Sequence, residues 1–340
     1  MKPYLSFVVA ARNDNYGGDF LGRLQVFVNA LLAMWEKCSL DAELVIVEWN
    51  PPADRHRLRK AIRWPNSRML DRVSIVEVSN EVHRRFANSD RMPIFEYVAK
   101  NVGLRHAKGA FVLSTNPDIL FSHSLVKFFS ARKLKPDCYY RVNRYDVAEG
   151  IPAALRVDSQ IRFCSLNAFR YHLAKRDVAL NKPRRFLHYA SQAVPWFRPV
   201  RTLSKFLHAN RVHTNASGDF MLMSADSWRS LRGYPELTTH SYIDSYLVYV
   251  AATSGLKQVV LPDPIYHLEH NRSEQTARPW TVLDKIPEFR EMIQKRRPHI
   301  ANSENWGLAN VNLPSFSVRQ DKTFEAMHAH SAISLTTQSS

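Results

Sequence analysis

Ala99–Ile119 reads AKNVGLRHAKGAFVLSTNPDI, and this stretch decides the fold. Its first part continues a helical pattern that begins at Phe95 and that Gly109 stops. Ala110–Ser114 is an apolar run with the length of a buried strand. The polar residues 116–118 follow it directly. We therefore predict a helix, a buried strand and a polar turn at the carboxyl end of that strand.

The same alternation extends toward the N-terminus. Leu5–Ala11, Glu43–Glu48 and Val73–Val78 are three more strand patterns, and Leu24–Trp35 has helical periodicity between the first two. This alternation predicts an α/β fold: a doubly wound, mixed but mainly parallel sheet with helices on both faces. Ligands of such sheets bind beyond the carboxyl ends of the strands. Polar residues occupy those ends: Arg12, Asn13, Asp14, Glu48, Asn50, Asn116 and Asp118.

Composition limits the class of protein and its partners. Hydrophobic residues make up 45% of the 340, which is enough for a large core, and the formal net charge of +16 favours anionic partners. Three cysteines without a C-x-x-C pair favour a reduced, cytoplasmic location. The apolar run at residues 4–11 is too short for a secretory signal, and no run reaches the about 20 residues of a membrane-spanning helix. We expect any membrane contact to be peripheral, at the inner face of the membrane.

The periodic pattern weakens at residues 141–213. Within them, Lys175–Arg211 contains nine Lys or Arg residues, one acidic residue and interleaved aromatic residues. A basic helical insertion on an anionic membrane or glycan, a nucleic-acid contact and a solvated basic face all fit this composition. No nucleic-acid motif accompanies it, so nucleic acid is not favoured. We predict one domain over 1–275 that includes this insertion, a C-terminal helical extension over 276–317 with a helix at Trp280–Arg297, and a loose tail over 318–340.

The opening stretch resembles the family 2 glycosyltransferase pattern A-R-N-x-G-x-x-x-A-x-G-x-(Y/F)-(I/V)-x-x-L-D-x-D. Six residues match its spacing: Asn101, Gly103, Ala107, Gly109, Phe111 and Val112. The resemblance implies a GT-A-type fold, a nucleotide-sugar donor and a divalent cation, Mn²⁺ or Mg²⁺, on the D-x-D carboxylates. Asn-Pro-Asp stands here instead, so Asp118 is the candidate metal ligand and Asn116 offers only a neutral amide oxygen. An ordinary turn is the alternative interpretation.

The resemblance also implies which residues contact the nucleotide part of the donor. The loop after the first strand stands where the family contacts the base and ribose, and the second strand ends in an acidic residue, as in the family. Trp49, the next residue, either stacks on a base or packs in the core. Taken together, the motifs of this chain also resemble those of a bacterial subgroup with the run ARND…VEWNPP…AKNVG…TNPDI…HTNASGDF. The predicted nucleotide-contacting residues are Arg12, Asn13, Glu48, Asn101, Arg105 and Asn116.

Residues 213–236 and 241–270 resemble the acceptor side of the family. By this resemblance Asp244 is the catalytic base, which takes the acceptor proton in an inverting transfer, and Asp219 is the rival carboxylate. A helix N-terminal Asp stabilised by the helix dipole is the alternative for Asp244. His267 and His270 follow, where the resemblance implies a contact to the metal or the diphosphate. Ordinary packing and a zinc site are the alternatives for this pair.

Together these features predict a hexosyltransferase-like glycosyltransferase that moves a sugar from a nucleotide-sugar donor to a glycan or lipid-linked acceptor, as in polysaccharide biosynthesis. A sugar nucleotidyltransferase is less favoured because no glycine-rich G-x-G-x-R loop follows the first strand. A non-catalytic nucleotide-sugar binding protein is a third hypothesis, supported by Asn116 in place of an acidic residue. Walker A and G-x-G-x-x-G motifs are absent, which disfavours an ATPase and a dehydrogenase.

Overall fold

The computed structural model describes residues 2–148, 150–151, 155–173, 176–179, 212–237, 242–271 and 286–319. Its strands are β1 Leu5–Ala11, β2 Ala42–Trp49, β3 Val73–Val78, β4 Phe111–Thr115, β5 Ile119–Phe121, β6 Cys138–Arg141, β7 Arg144–Val147, β8 Ala168–Leu173, β9 Arg176–Ala179, β10 Phe220–Ser224, β11 Lys257–Val260, β12 Ile265–Leu268 and β13 Ser315–Ser317. Its helices are α1 Phe20–Cys38, α2 Leu58–Ala61, α3 Asn80–His83, α4 Glu96–His106, α5 His123–Ser130, α6 Val157–Asn167, α7 Ala225–Leu231, α8 Ile243–Thr253 and α9 Pro287–Lys295, with a 3₁₀ turn at Arg68–Arg72.

Eight strands form the central sheet in the order β11-β6-β10-β4-β1-β2-β3-β13. The run β4-β1-β2-β3 and the pair β6-β11 are parallel, whereas β10 and β13 run antiparallel to their neighbours. The doubly wound, mainly parallel sheet predicted from the sequence is confirmed. Because β10 is reversed beside β4, its first residue, Phe220, pairs with Thr115, the last residue of β4. The segment just before β10 therefore reaches the carboxyl end of β4.

Helices cover both faces of this sheet, as predicted. Successive residues of β1 face opposite sides, so Phe7 packs in the core beneath α1 and α5 and Val8 in the core beneath α4. A Cβ at Gly103 would lie 2.4 Å from Val8 Cγ1, so the close approach of α4 to β1 requires glycine there. Trp49 is fully buried, and its Nε1 donates a hydrogen bond to His83 Nδ1 at 2.9 Å. Trp49 therefore packs in the core and is not exposed to a nucleotide base.

A second sheet has the order β5-β12-β7-β8-β9. It adjoins the candidate site because β5 begins at Ile119, directly after the polar turn that follows β4. Its strands β7, β8 and β9, with α6, lie within the stretch at 141–213 where the sequence pattern weakens. Most of the basic and aromatic segment Lys175–Arg211 lies outside the described residues, and so does its predicted contact with an anionic surface.

The C-terminal segment returns to the central sheet. α9 lies within the predicted helix Trp280–Arg297, and β13 pairs antiparallel with β3 at the sheet edge. Residues 320–340, most of the predicted tail, lie outside the described residues. Across the described parts of the chain, none of the helices combines the length and the apolar character that crossing a membrane requires.

Candidate active site

Asp118, His267 and His270 meet at the carboxyl end of β4, and we call them the carboxylate–histidine cluster. Asp118 lies in the turn between β4 and β5, and the histidines lie on β12 and just after it. The pairing of β5 with β12 fixes their spacing, helped by a hydrogen bond from the Leu268 N–H to the Asp118 carbonyl at 3.0 Å. Asp118 Oδ2 is 3.4 Å from His270 Nε2 and 3.7 Å from His267 Nε2. The structure thus brings together the three residues predicted as metal ligands.

Attraction to the imidazoles favours the ionised form of Asp118. Burial alone would raise the pKa of Asp118, but His267 and His270 outweigh that effect and hold the pKa below its ordinary value. Burial alone would lower the pKa of His267, but Asp118 and Asp146 outweigh it and raise the pKa. Asp118 is therefore ionised at neutral pH and is available as an anionic ligand.

The donor set of the cluster fits a divalent transition metal. Asp118 Oδ1 is buried and has no hydrogen-bond partner among the described residues, so it has capacity for another partner. Ligand atoms around a tetrahedral ion with bonds of about 2.05 Å stand about 3.3 Å apart. The contacts of 3.4 and 3.7 Å from Asp118 to the imidazoles are close to that spacing. The two imidazoles suit Zn²⁺, the carboxylate also suits Mn²⁺, and Mg²⁺, which prefers oxygen ligands, fits this donor set least well.

The loop between β1 and α1 covers one side of His270. Gly17 has a φ of +67°, and a Cβ there would lie 2.4 Å from His270 Nδ1. The rings of Tyr16 and His270 meet edge to face with centroids 5.2 Å apart. Arg23, in α1, donates hydrogen bonds to main-chain carbonyls of the same loop. Both backbone conformation and the imidazole therefore require glycine at position 17.

A charged network on β7 and β8 lies beside the cluster. Asp146 is completely buried, with Oδ2 at 2.7 Å from His172 Nε2 and Oδ1 at 2.9 Å from Arg144 Nε. Arg144 Nη1 donates a hydrogen bond to Asp219 Oδ2 at 2.6 Å. Burial alone would raise the pKa of Asp146, but His172, His267 and Arg144 outweigh it and lower the pKa. The network thus connects the second sheet to the segment before β10.

Asn116 is held between a cation and a carboxylate. Its Oδ1 accepts a hydrogen bond from Lys100 Nζ at 2.6 Å, and its Nδ2 donates to Asp219 Oδ1 at 2.7 Å. Lys100 is fully buried and also donates to Glu96 Oε1 and to the Gly218 carbonyl, each at 2.7 Å. The amide oxygen of Asn116 is therefore already bonded to an ammonium group, and both ends of the amide are engaged.

Asp244 lies in the first turn of α8, next to the segment that carries Asp219. Its Oδ2 accepts hydrogen bonds from Ser217 Oγ at 2.7 Å and from the Gly218 N–H at 2.8 Å. Asp219, in contrast, has a hydrogen bond on each carboxylate oxygen. The two rival carboxylates thus lie close together in the fold, and they differ in how fully their oxygens are engaged.

The predicted residues at the ends of β1 and β2 face the loop that follows β2. Arg12 Nε and Asn13 Nδ2 donate to main-chain carbonyls of that loop at 2.7 and 2.9 Å. Glu48 is fully buried and accepts a hydrogen bond from the Leu58 N–H at 2.9 Å. Burial raises the pKa of Glu48 to about 7. These three side chains brace the loop at 50–58 and form a second polar group at the same edge of the sheet.

Asn101 and Arg105 make their contacts elsewhere. The side chain of Asn101 is fully buried and bonds the main chain of Tyr234 and the carboxylate of Glu236. Arg105 lies over the Trp306 ring, 4.3 Å from its centroid, and donates to main-chain carbonyls of the C-terminal segment. Asn101 therefore connects α4 to the turn after α7, and Arg105 connects α4 to the C-terminal segment.

Several site residues were missed by sequence reasoning. Lys100 directly precedes a matching motif residue, and the alternation of Arg144 and Asp146 is that of a strand, so a weak signal existed for each. Their neighbours depend on which strands pair over long distances along the chain, and a sequence pattern does not give that pairing. The missed residues are Lys100, Arg144, Asp146, His172 and Ser217.

Fold and site together define a doubly wound α/β protein with a carboxylate–histidine cluster at its strand ends. No protein-family model and no curated protein matches the chain. A crystal structure of S. aureus TarS is similar at 14% identity and a TM-score of 0.41, over 78% of this chain and 37% of that one. The catalytic domain of Drosophila beta1,4-galactosyltransferase 7, in complex with xylobiose, is similar at 11% identity and a TM-score of 0.38, over 88% of this chain and 84% of that one. Similarity at this level carries no argument about activity, which has to be argued from the site.

Proposed function

We propose that the chain is a GT-A-type glycosyltransferase that moves a sugar from a nucleotide-sugar donor to a hydroxyl of a glycan or lipid-linked acceptor, with inversion. The observation that carries this proposal is the arrangement of Asp118, His267 and His270 at the carboxyl edge of a doubly wound sheet, with Asp244 joined to them through the segment before β10. Ligands of α/β sheets bind at that edge. The motif resemblance at 99–119 supports the same class.

In this proposal the carboxylate–histidine cluster holds a divalent cation. A bound Mn²⁺ supplies a Lewis acid that offsets the charge of the departing nucleoside diphosphate. Asp118 contributes the anionic ligand, and His267 and His270 contribute neutral imidazoles. One negative ligand against a dication leaves net positive charge at the site, which suits a diphosphate leaving group.

Asp244 is the base in this proposal. The acceptor oxygen bonds to the anomeric carbon while the bond from that carbon to the diphosphate oxygen breaks, and the electron pair leaves with the diphosphate. The acceptor proton passes to Asp244. Ser217 and Gly218 hold Oδ2 in place, so we assign the proton to Oδ1. The rival, Asp219, is bonded at both oxygens and is better suited to orienting its neighbours.

The nucleoside is expected at the ends of β1 and β2, near Arg12, Asn13 and Glu48. The supporting observation is that these polar side chains share the edge of the sheet with the cluster. Glu48 is fully buried and serves this side by holding the loop at 50–58 through the Leu58 N–H, so Arg12 and Asn13 are the side chains left to contact the nucleoside. Asn116 follows β4, which lies between β1 on the nucleoside side and β10, whose preceding segment carries Asp219.

Calorimetry with a panel of nucleoside diphosphates, with and without Mn²⁺, tests the proposal. We expect one nucleotide to bind, and we expect Mn²⁺ to strengthen its binding more than Mg²⁺ does. In Asp118→Ala the strengthening by Mn²⁺ should disappear while the metal-free affinity remains. Failure of every nucleotide to bind would contradict the proposal. Release of pyrophosphate from a nucleoside triphosphate and a sugar phosphate would indicate a nucleotidyltransferase instead.

A further inference from the structure

Asp146 lies next to a candidate metal ligand without belonging to the carboxylate–histidine cluster. β7 pairs in parallel with β12, and the register sets Asp146 beside His267. Asp146 Oδ1 is 3.3 Å from His267 Nδ1, the ring nitrogen that does not face Asp118. Asp146 has no exposed side-chain surface. His267 therefore lies between two carboxylates, one at each ring nitrogen.

Among the described residues, two groups of side chains could hold a cation here, and His267 belongs to both. One is the carboxylate–histidine cluster, and the other consists of Asp146, His267 and Glu269. Besides His267, Asp146 contacts three basic side chains: Arg144 at 2.9 Å, His172 at 2.7 Å and Arg170 at 3.3 Å. The two arginines would repel a dication on Asp146. The cluster with Asp118 is therefore the better metal site, and Asp146 is left for another role.

We propose that Asp146 is a positioning residue that holds the Nδ1–H of His267 and so directs the Nε2 lone pair toward Asp118. This inference rests on the proposed function, because it needs His267 to be a metal ligand. A neutral imidazole has one N–H and one lone pair, so a partner on Nδ1 decides which nitrogen is free for the metal. His267 Nδ1 and Asp146 Oδ1 are both buried and lack a well-aligned hydrogen bond within the described residues. Each therefore has capacity for the other.

Mn²⁺ affinity of the full chain, measured by calorimetry, tests this role. Asp146→Asn keeps the size of the side chain and removes the charge that holds the Nδ1–H. We expect Mn²⁺ binding to weaken about 10–100-fold, as is usual when the partner of a metal-ligating histidine is lost. The matched control is Arg170→Gln, which removes another contact of Asp146 and leaves His267 untouched. A change of less than about threefold is expected there, because the Arg170 side chain is 37% exposed and its charge is screened.

Pulsed electron paramagnetic resonance of bound Mn²⁺ separates positioning from general damage to the fold. It counts the coordinated imidazole nitrogens, so we expect two in the natural chain and one in Asp146→Asn. A weaker site that keeps two nitrogens would overturn the positioning role, and so would an affinity equal to that of the natural chain. Absence of Mn²⁺ binding to the natural chain would overturn the metal proposal itself, and this inference with it.

A third measurement needs no substitution, so it decides the matter even where Asp146→Asn does not fold. The natural chain is loaded with diamagnetic Zn²⁺, and the ring nitrogens of His267 are observed by ¹⁵N nuclear magnetic resonance. We expect the proton on Nδ1 and the metal on Nε2. A proton on Nε2, with the metal on Nδ1, would overturn the inference.

Discussion

Glu48 and Asp118 stand near the ends of the two strands that flank β1, yet the fold treats their carboxyl groups in opposite ways. Burial raises the pKa of Glu48 to about 7, although the hydrogen bond from the Leu58 N–H opposes the rise, and the nearby Glu77 adds a smaller increase. Asp118 is also buried, but two imidazoles at 3.4 and 3.7 Å hold its pKa below the ordinary value. Both carboxyl groups are buried, so the two imidazoles beside Asp118 account for the opposite direction of its pKa.

The difference divides one edge of the sheet into two chemical environments. At the end of β2, the buried Glu48 carboxyl group can be uncharged at neutral pH, so it adds little negative charge on the expected nucleoside side. The end of β4 offers an ionised carboxylate among basic rings, which suits a metal and a diphosphate. If the division is functional, substitutions at the two ends should have different consequences, and those consequences can be measured separately.

The largest effect is expected at the end of β4. Asp118→Ala removes the anionic ligand of the proposed metal, and Lewis-acid assistance is worth several kcal/mol. We expect kcat/KM for sugar transfer to fall about 10⁴-fold, roughly 5.4 kcal/mol, with folding retained. The measurement is transfer from the nucleotide sugar that the binding panel identifies. Asp226→Ala is the matched control because that side chain is 93% exposed, and it should keep full activity. Full activity in Asp118→Ala would remove the metal from the mechanism.

The next effect belongs to the proposed base. Asp244→Asn removes the proton acceptor, and general-base catalysis contributes about 10²–10⁴-fold. We expect kcat to fall about 10³-fold while Mn²⁺ and nucleotide affinities stay the same, because Asp244 lies outside the carboxylate–histidine cluster. If Asp244 serves only the dipole of α8, the variant would lose some stability and keep its kcat. That result would move the base to another carboxylate.

The side chain of Lys100 lies at the end of β4, the same end of the sheet edge as the ionised Asp118. Its ammonium joins α4 to Asn116 and to the Gly218 carbonyl, and it is fully buried. Lys100→Met leaves those acceptors without their donor, so we expect a loss of about 3–4 kcal/mol in the free energy of unfolding. Urea unfolding measures it. Lys108→Met is the control, because that residue is exposed and should change stability little. Equal stability of the two variants would show that the buried ammonium is dispensable.

The central sheet was predictable because its strands carry strong patterns. Leu5–Ala11 and Val73–Val78 are the observed bounds of β1 and β3; β1 is buried on both faces, and the four apolar residues of β3 are buried. The second sheet was not predictable in the same way. β5, β7 and β12 are only three or four residues long, and β7 and β12 carry Arg144, Asp146 and His267 where an apolar pattern would be needed.

The site shows the same limit. Asp118, His267 and His270 were found as candidates because their residue types suit metal binding and a motif resemblance placed them. Asn101 was found by the same motif, but its side chain holds the turn at 234–236, which no local pattern reports. The partners of Asp146 depend on the β7–β12 register, and a one-residue shift would turn its side chain to the other face. The sequence indicated which residue types could bind a metal, but it did not indicate which side chains lie next to one another in the fold.

The smallest effect concerns the end of β2 and is a dependence of stability on pH. The ordinary pKa of Glu48 is 4.5, and the folded value is about 7. Between these values the unfolded chain has lost the proton that the folded chain still binds, so stability falls as pH rises. Below the lower value both states are protonated, and above the higher value both are ionised, so the slope vanishes outside the window.

Glu48→Gln isolates this contribution, because glutamine keeps the shape and the acceptor for the Leu58 N–H but does not titrate. We expect the natural chain to lose about 2–3 kcal/mol more than the variant between pH 4.5 and 7. Urea unfolding of both chains at steps of pH measures the difference, from which the other titrating groups cancel. Parallel curves would mean that Glu48 is ionised in the folded chain. Glu48 and Asp118 would then both be ionised at neutral pH, and the proposed division of this edge into two environments would fail.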